Sequence, residues 1–220
     1  MELPTDIDQL KEIAAQLRKP VGKPGTEIAN MMNVGNSNMN LHTLAVLNPQ
    51  INQRILEIGM GNGFFVKNIL NVDASIQYVG IDYSNQMVKE SMELNSKFVL
   101  EKRAEFLEGS INDLPFDSNS FDQIFTVNTF YFWDNHEQVI TELMRVLKPS
   151  GTLILSIRPK HNLDTMAVAE FGFDKKETGK IEAMLSSAGF STIHTTKIIE
   201  PAQGQWGAER KLECHIIQAN

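Results

Sequence analysis

Between residues 55 and 157 the chain repeats one pattern: a short run that is apolar almost throughout, then a stretch with helical spacing. The runs fall at residues 55–58, 78–81, 105–107, 121–127 and 153–157. Strands that face water on one side alternate apolar and polar residues, whereas strands covered by helices on both faces read as these do. The pattern therefore predicts βαβ units and a doubly wound, mostly parallel α/β sheet. Helix punctuation agrees. Asp134 and Glu137 form a capping-box pattern ahead of Val139, Ile140, Leu143, Met144 and Leu147, and residues 148–151 close that helix. Asp174 with Glu177 opens another, carrying Ile181, Met184 and Leu185 and ending at Gly189. Two last strands, near 192–199 and 211–218 and separated by Pro201, Gly204 and Gly207, bring the expected total to seven and predict a hairpin at the sheet edge.

The segment before Pro49 has a different character. Ile7, Leu10, Ile13, Ala14 and Leu17 have helical spacing, and Pro20, Gly22, Pro24 and Gly25 break it. Five asparagines and three methionines (Met31, Met32 and Met39) crowd the eleven positions from 30 to 40, and Leu41, Leu44 and Leu47 suggest one more helix. Residues 1–49 are expected to form a helical cap or lid over an α/β domain at 50–220. The chain has 220 residues, 20 basic and 27 acidic, so its net charge of −7 argues against a long phosphate-tracking surface. A lone cysteine, Cys214, fits a reducing compartment. No membrane span or signal peptide is visible, so a cytoplasmic location is expected.

The most informative residues are 55–64, where an apolar strand runs into Gly59, Gly61 and Gly63. Glycine is required where main chain must approach a ligand or take positive φ. A tight turn without ligand is the plain alternative. A dinucleotide fingerprint needs a third glycine at position 64, and a P-loop needs Gly-Lys-Ser/Thr starting there; the residues are Phe64, Phe65 and Val66. Glu57 would also repel a pyrophosphate. A carboxylate at that position suits a ligand carrying an ammonium group.

Glu57-Ile58-Gly59-Met60-Gly61-Asn62-Gly63 resembles motif I of the class I S-adenosylmethionine-dependent methyltransferases, which have a Rossmann-like fold. The stretch from Gly80 to Met87 resembles the second-strand motif, with Asp82 lying 19 residues beyond Gly63. Gly109 to Phe116 resembles the adenine-facing third motif. Residues 120–124 and 147–153 resemble the fourth strand and the turn into the fifth in the small-molecule branch that includes quinone-biosynthesis enzymes. The resemblance covers roughly residues 52 to 200. It implies S-adenosylmethionine as cofactor and methyl transfer to a small molecule. It also implies cofactor-binding roles: Gly59, Met60 and Gly61 against the methionine and ribose portions, Glu57 toward the ammonium group through water, and Asp82 on the ribose hydroxyls. Tyr83 and Met87 would lie against the adenine, or else fill core. Ser84 reads as a helix N-cap rather than a contact. The family commonly has Asp in the third motif where this chain has Ser110, a weaker acceptor for the adenine amine; the Ile111 amide remains for the ring nitrogen.

A sulfonium methyl is already activated, so orientation is the protein's main task, and no catalytic motif stands out. Asn128, first after the fourth strand, is expected on the methionine side. The aromatic stretch 130–133 is either substrate pocket or packing beneath the cap. His42 and His136 are candidate bases set against plain structural roles, with His161 and His194 more remote. The three methionines could form an adaptable lid or merely dock the cap. No metal site and no nucleic-acid partner are expected. A nucleic-acid adenine methyltransferase would carry two prolines where Thr129 and Phe130 stand. A cofactor-binding module without turnover is the remaining alternative.

Overall fold

The computed structural model describes residues 6–200 and 212–220. Strands β1 (Arg54–Ile58), β2 (Gln77–Asp82), β3 (Ala104–Glu108), β4 (Phe121–Val127) and β5 (Leu147–Ile157) pair in parallel. With β6 (Ile193–Glu200) and β7 (Leu212–Ala219) they form one sheet in the order β3-β2-β1-β4-β5-β7-β6. β7 runs antiparallel to β5 and to β6, so the expected hairpin stands at the edge. Its turn residues, Pro201, Gly204 and Gly207, and Lys211 lie outside the described residues. The helices are α1 (Ile7–Arg18), α2 (Gly22–Gly35), α3 (Ser37–Leu47), α4 (Val66–Leu70), α5 (Asn85–Leu94), α6 (Ser96–Leu100), α7 (His136–Val146), α8 (Lys160–Leu163) and α9 (Thr178–Ala188).

Successive strand residues point to opposite faces, and here both faces are core. Ile55, Phe125, Ile154 and Ile216 join Val66, Ile69, Val88 and Phe98 of α4–α6 on one side. Their chain neighbours Leu56, Ile124, Leu155 and Ile217 join Val139, Ile140 and Leu143 of α7 and Ile181 and Leu185 of α9 on the other. The near-continuous apolar runs follow directly from that double cover.

The N-terminal helices are held in two different ways. α3 belongs to the main core: Met39 is fully buried, Leu47 is buried beside it, and Thr43 Oγ1 bonds Ser156 Oγ on β5 at 2.7 Å. α1 and α2 rest on a small cluster of Leu10, Ala14 and Val168 and on polar contacts. Thr26 Oγ1 donates to Glu90 Oε1 at 2.6 Å, Gln86 Nε2 donates to the Gly22 carbonyl at 2.9 Å, and Ser84 Oγ donates to the Pro20 carbonyl at 2.5 Å.

Four local expectations need correction. The Pro/Gly run ends α1, but residues 22–25 are the first turn of α2, where Pro24's missing N–H has no helical partner to lose. α7 begins at His136, one residue too late for Asp134 to cap it. Asn135 accepts the Gln138 amide at 3.1 Å instead, and Asp134 takes Arg18 Nη2 at 2.6 Å. Asp174 likewise does not cap α9, whose N-cap is Glu177; it pairs with Lys176 and lies 3.7 Å from His136 Nδ1. Residues 148–151 extend β5 rather than forming only a helix stop. Gly189 does end α9, at φ +119°.

Gly63 has φ +70°, and a β-carbon there would lie 2.8 Å from Asn95 Nδ2 and 3.1 Å from Ser91 Cβ on the α5 side. Gly172 has a similar φ of +75° with open space around it. Gly63→Ala combines left-handed strain with overpacking and should lose roughly 2–4 kcal/mol, against roughly 1 kcal/mol for Gly172→Ala. Urea unfolding of the two variants beside the parent checks the difference.

Candidate functional site

Strand order reverses about β1, whose neighbours β2 and β4 lead away in opposite directions. In such sheets the crevice at the strands' carboxyl ends is where ligands enter. A cavity of about 420 Å³ lies there. Glu57, Gly59, Met60, Gly61, Asp82, Tyr83, Met87, Ser110, Ile111 and Asn128 all lie along it, brought together from the ends of β1, β2, β3 and β4.

The glycine turn has divided duties. Gly59 (φ +70°) donates its N–H to the Ile81 carbonyl at 2.7 Å, and a β-carbon there would come 2.4 Å from Thr129 Cγ2. Gly61 (φ +57°) is the open one: a β-carbon would meet nothing within 4 Å, so its bare main chain faces the cavity. Gly63 is not in the wall; its missing side chain serves packing against the α5 side.

Two buried carboxylates sit beside the turn. Asp82 Oδ2 accepts the Gly61 amide at 3.0 Å and Oδ1 accepts the Ser84 amide at 2.8 Å, so each oxygen is oriented by main chain. Burial still pushes its pKa up to about 6. Glu57 takes the Tyr78 hydroxyl at 2.5 Å, and burial, with a smaller contribution from the Asp82 charge, raises its pKa to about 7. Like-charged groups kept out of water at the end of a cavity are relieved by a cation placed between them and solvent.

Around them the side chains sort themselves. Ser84 is the α5 N-cap, accepting the Met87 amide at 3.3 Å, as its position suggested. Met87 is fully buried and forms wall, while Tyr83 is exposed with Lys19 Nζ 4.1 Å above its ring. Ser110 Oγ accepts the Asn112 amide at 3.2 Å. Asn128 takes φ +59°, a conformation few non-glycine residues hold. Its Oδ1 accepts the Tyr131 hydroxyl at 3.0 Å, and the Arg158 amide donates to that same hydroxyl.

The aromatic stretch is divided between core and cavity wall. Phe130 is fully buried in core, whereas Phe132 and Trp133 line the cavity, Trp133 donating Nε1 to Thr129 Oγ1 at 3.3 Å. Of Met31, Met32 and Met39 only Met32 reaches the cavity; Met39 is core. No histidine lines it. His42, His161 and His194 are exposed, and His136 is buried with Nε2 3.1 Å from the Phe130 carbonyl, its pKa lowered by burial. Sequence reasoning missed Arg158, Asn36 and Asn40, which also line the site. Arg158 follows β5 as Asn128 follows β4, so the positional rule that picked out one applies to the other. Asn36 and Asn40 carry no comparable signal. Among the described residues no cluster of metal-ligating side chains occurs, and no helix is long and apolar enough to cross a membrane.

A model of the methyltransferase domain matches residues 56–155. The chain is 28% identical over 130 residues to the uncharacterized methyltransferase YdaC of Bacillus subtilis, covering 59% of this chain and 70% of that one. It is 30% identical over 159 residues to the uncharacterized protein MJ1123 of Methanocaldococcus jannaschii, covering 66% and 68%. Other curated relatives are spanned less completely, 59% and 39% of their lengths in two cases. In fold, the chain is similar to a SAM-dependent methyltransferase from Aquifex aeolicus, with a TM-score of 0.62 at 24% identity over 80% of this chain and 88% of that one.

Carboxyl groups with raised pKa hold protons longer in the folded state than in the unfolded one, so stability falls as pH rises through the interval between the two values. For Glu57 that interval runs from 4.5 to about 7, and for Asp82 from 3.8 to about 6. Glu57→Gln keeps an acceptor for the Tyr78 hydroxyl and should flatten the Glu57 part of this decline. At pH 8 the ligand-free variant should exceed the parent by on the order of 1–3 kcal/mol. Denaturant titrations at pH 5 and pH 8 measure both slopes.

Proposed function

Because the chain belongs to the class I S-adenosylmethionine-dependent methyltransferases, we propose that it moves the cofactor's methyl group to a small-molecule acceptor. S-adenosylmethionine is the cofactor, and the cavity suits it. Gly61 leaves a cradle that a β-carbon would fill, and the two buried carboxylates complement a ligand carrying an ammonium and a sulfonium. When bound, the cofactor supplies a methyl group already activated by its positive sulfur.

The chain's own residues then bind and orient. In this reading Asp82, with both oxygens steered by main-chain amides, offers its remaining lone pairs to the ribose hydroxyls. Glu57 ionises opposite the ammonium group. Gly59, Met60 and Gly61 bring main chain against the methionine and ribose portions. Tyr83, Met87, Ser110 and Ile111 border the adenine, with the Ser110 hydroxyl already shared with the Asn112 amide. Asn128, its Oδ1 engaged by Tyr131, keeps its amide group for the methionine side.

The observation that carries the small-molecule reading is the roof. Leu17, Ile28, Ala29 and Met32 of α1 and α2 line the same cavity as the strand ends, and Leu163, Met166, Val168 and Phe173 close it beyond β5. A covered, mainly apolar chamber admits a compact molecule and keeps water from the reacting atoms; a polymer needs an open face. α1 and α2 thus act as the lid, whereas α3, expected to belong to it, packs into the α/β core, and Cys214, buried and unpaired, fits a reducing cytoplasm.

Titration calorimetry tests the binding half. Asp82→Ala should weaken S-adenosylmethionine binding roughly 10–100-fold, the worth of one or two charge-assisted hydrogen bonds. Unchanged affinity removes Asp82 from the site. Parent affinity should also fall as pH drops below about 7, because Glu57 takes up a proton and loses its attraction for the ammonium group. The transfer half is tested by formation of S-adenosylhomocysteine across a panel of small acceptors. Tight cofactor binding with no turnover on any of them points to a binding module instead.

A further inference from the structure

We infer that the acceptor end of the cavity is built for an apolar carboxylic acid, whose carboxylate is received by Arg158. The inference rests on the methyltransferase reading above. Arg158 is only 4% exposed, yet it lines the cavity at the carboxyl end of β5. Arginine is almost never buried without a partner, and its partners stand behind it. Nη2 donates to Glu200 Oε2 at 2.8 Å and Nη1 to the Glu213 carbonyl at 3.1 Å. Neither Glu200 nor Glu213 borders the cavity, so the residue that does border it is the cation of the pair and not its countercharge. The bond from the Arg158 amide to the Tyr131 hydroxyl fixes the main chain from which the guanidinium projects.

The other charges in the wall sharpen the argument. Arg18 and Asp134 pair with each other at 2.6 Å at the half-exposed rim and cancel. What remains is two acids, Glu57 and Asp82, at the cofactor end and Arg158 near Leu163, Met166, Val168 and Phe173. An amine acceptor would meet a like charge there, and a neutral one would offer no countercharge to the guanidinium N–H groups that Glu200 and the Glu213 carbonyl leave over. An acid with an apolar body satisfies both the cation and the hydrophobic walls, and a carboxylate is ionised at neutral pH without help from a base.

A carboxylate could instead come from the cofactor's own methionine portion, and the experiment separates the two sources. Protein saturated with S-adenosylhomocysteine is titrated with octanoate, octanamide and octylamine, which share one chain length and differ in charge. Octanoate should bind at least roughly tenfold more tightly than either of the others, in line with a charge-assisted bidentate contact. The paired variant Arg158→Gln/Glu200→Gln, which leaves no unpaired buried charge, should bind octanoate no better than octanamide while keeping its affinity for S-adenosylhomocysteine and a cooperative thermal transition. Octanoate no tighter than octanamide on the parent protein overturns the inference. So does a folded double variant that loses S-adenosylhomocysteine, because Arg158 would then be holding the cofactor. If the double variant does not fold, the charge preference of the parent protein decides alone. Should the parent protein fail to bind S-adenosylhomocysteine, the methyltransferase reading fails first, and the same three titrations without it still report on Arg158.

Discussion

The hydrogen bond from the Gly61 amide to Asp82 joins the ends of β1 and β2, and the rest of the site is arranged around it. It requires main chain at Gly61 to turn with positive φ, and it requires a carboxylate kept out of water at the end of the neighbouring strand. Each condition is unfavourable alone. Left-handed backbone disfavours most residues, and buried charge is opposed by desolvation. Together they produce an oriented anion beside bare backbone, with Glu57 and the Tyr78 hydroxyl completing an acidic pocket floor.

Much of this was legible in the amino-acid order because it depends on local rules. The apolar runs announced strands covered on both sides, and their actual limits, such as Phe121–Val127, fall close to those runs. Glycines and acids at strand ends announced the site, because the ends of adjacent parallel strands converge whatever the intervening helices do. Helix starts were less legible: Asp134 and Asp174 had the right chemistry one or more residues too early, and in place of its own helix Asp134 found a distant partner, Arg18, and Asp174 a near one, Lys176. The acceptor end was least legible. Arg158 is defined by Glu200, 42 residues away, and Asn36 and Asn40 by how the N-terminal helices fold back over the sheet. No spacing in the sequence encodes such long-range meetings.

Charge is distributed along the cavity with a clear direction. Acidic groups whose pKa values are raised by burial mark the β1–β2 side, and a guanidinium backed by its own carboxylate marks the β5 side. Between them stand the strained Asn128 turn and the Tyr131 hydroxyl, which ties that turn to the Arg158 backbone.

The bond between Thr43 and Ser156 has a consequence for how this polypeptide can be cut or rearranged. Because α3 is interleaved with the sheet through Met39 and Leu47, the natural seam of the N-terminal region falls near Asn36, between α2 and α3, rather than at Pro49. Trimming up to that seam removes only the roof, whereas trimming past it opens a hole in one whole face of the protein. A graft, a tag or a circular permutation that respects Asn36 exchanges covers on an intact chassis, and α3 travels with the chassis.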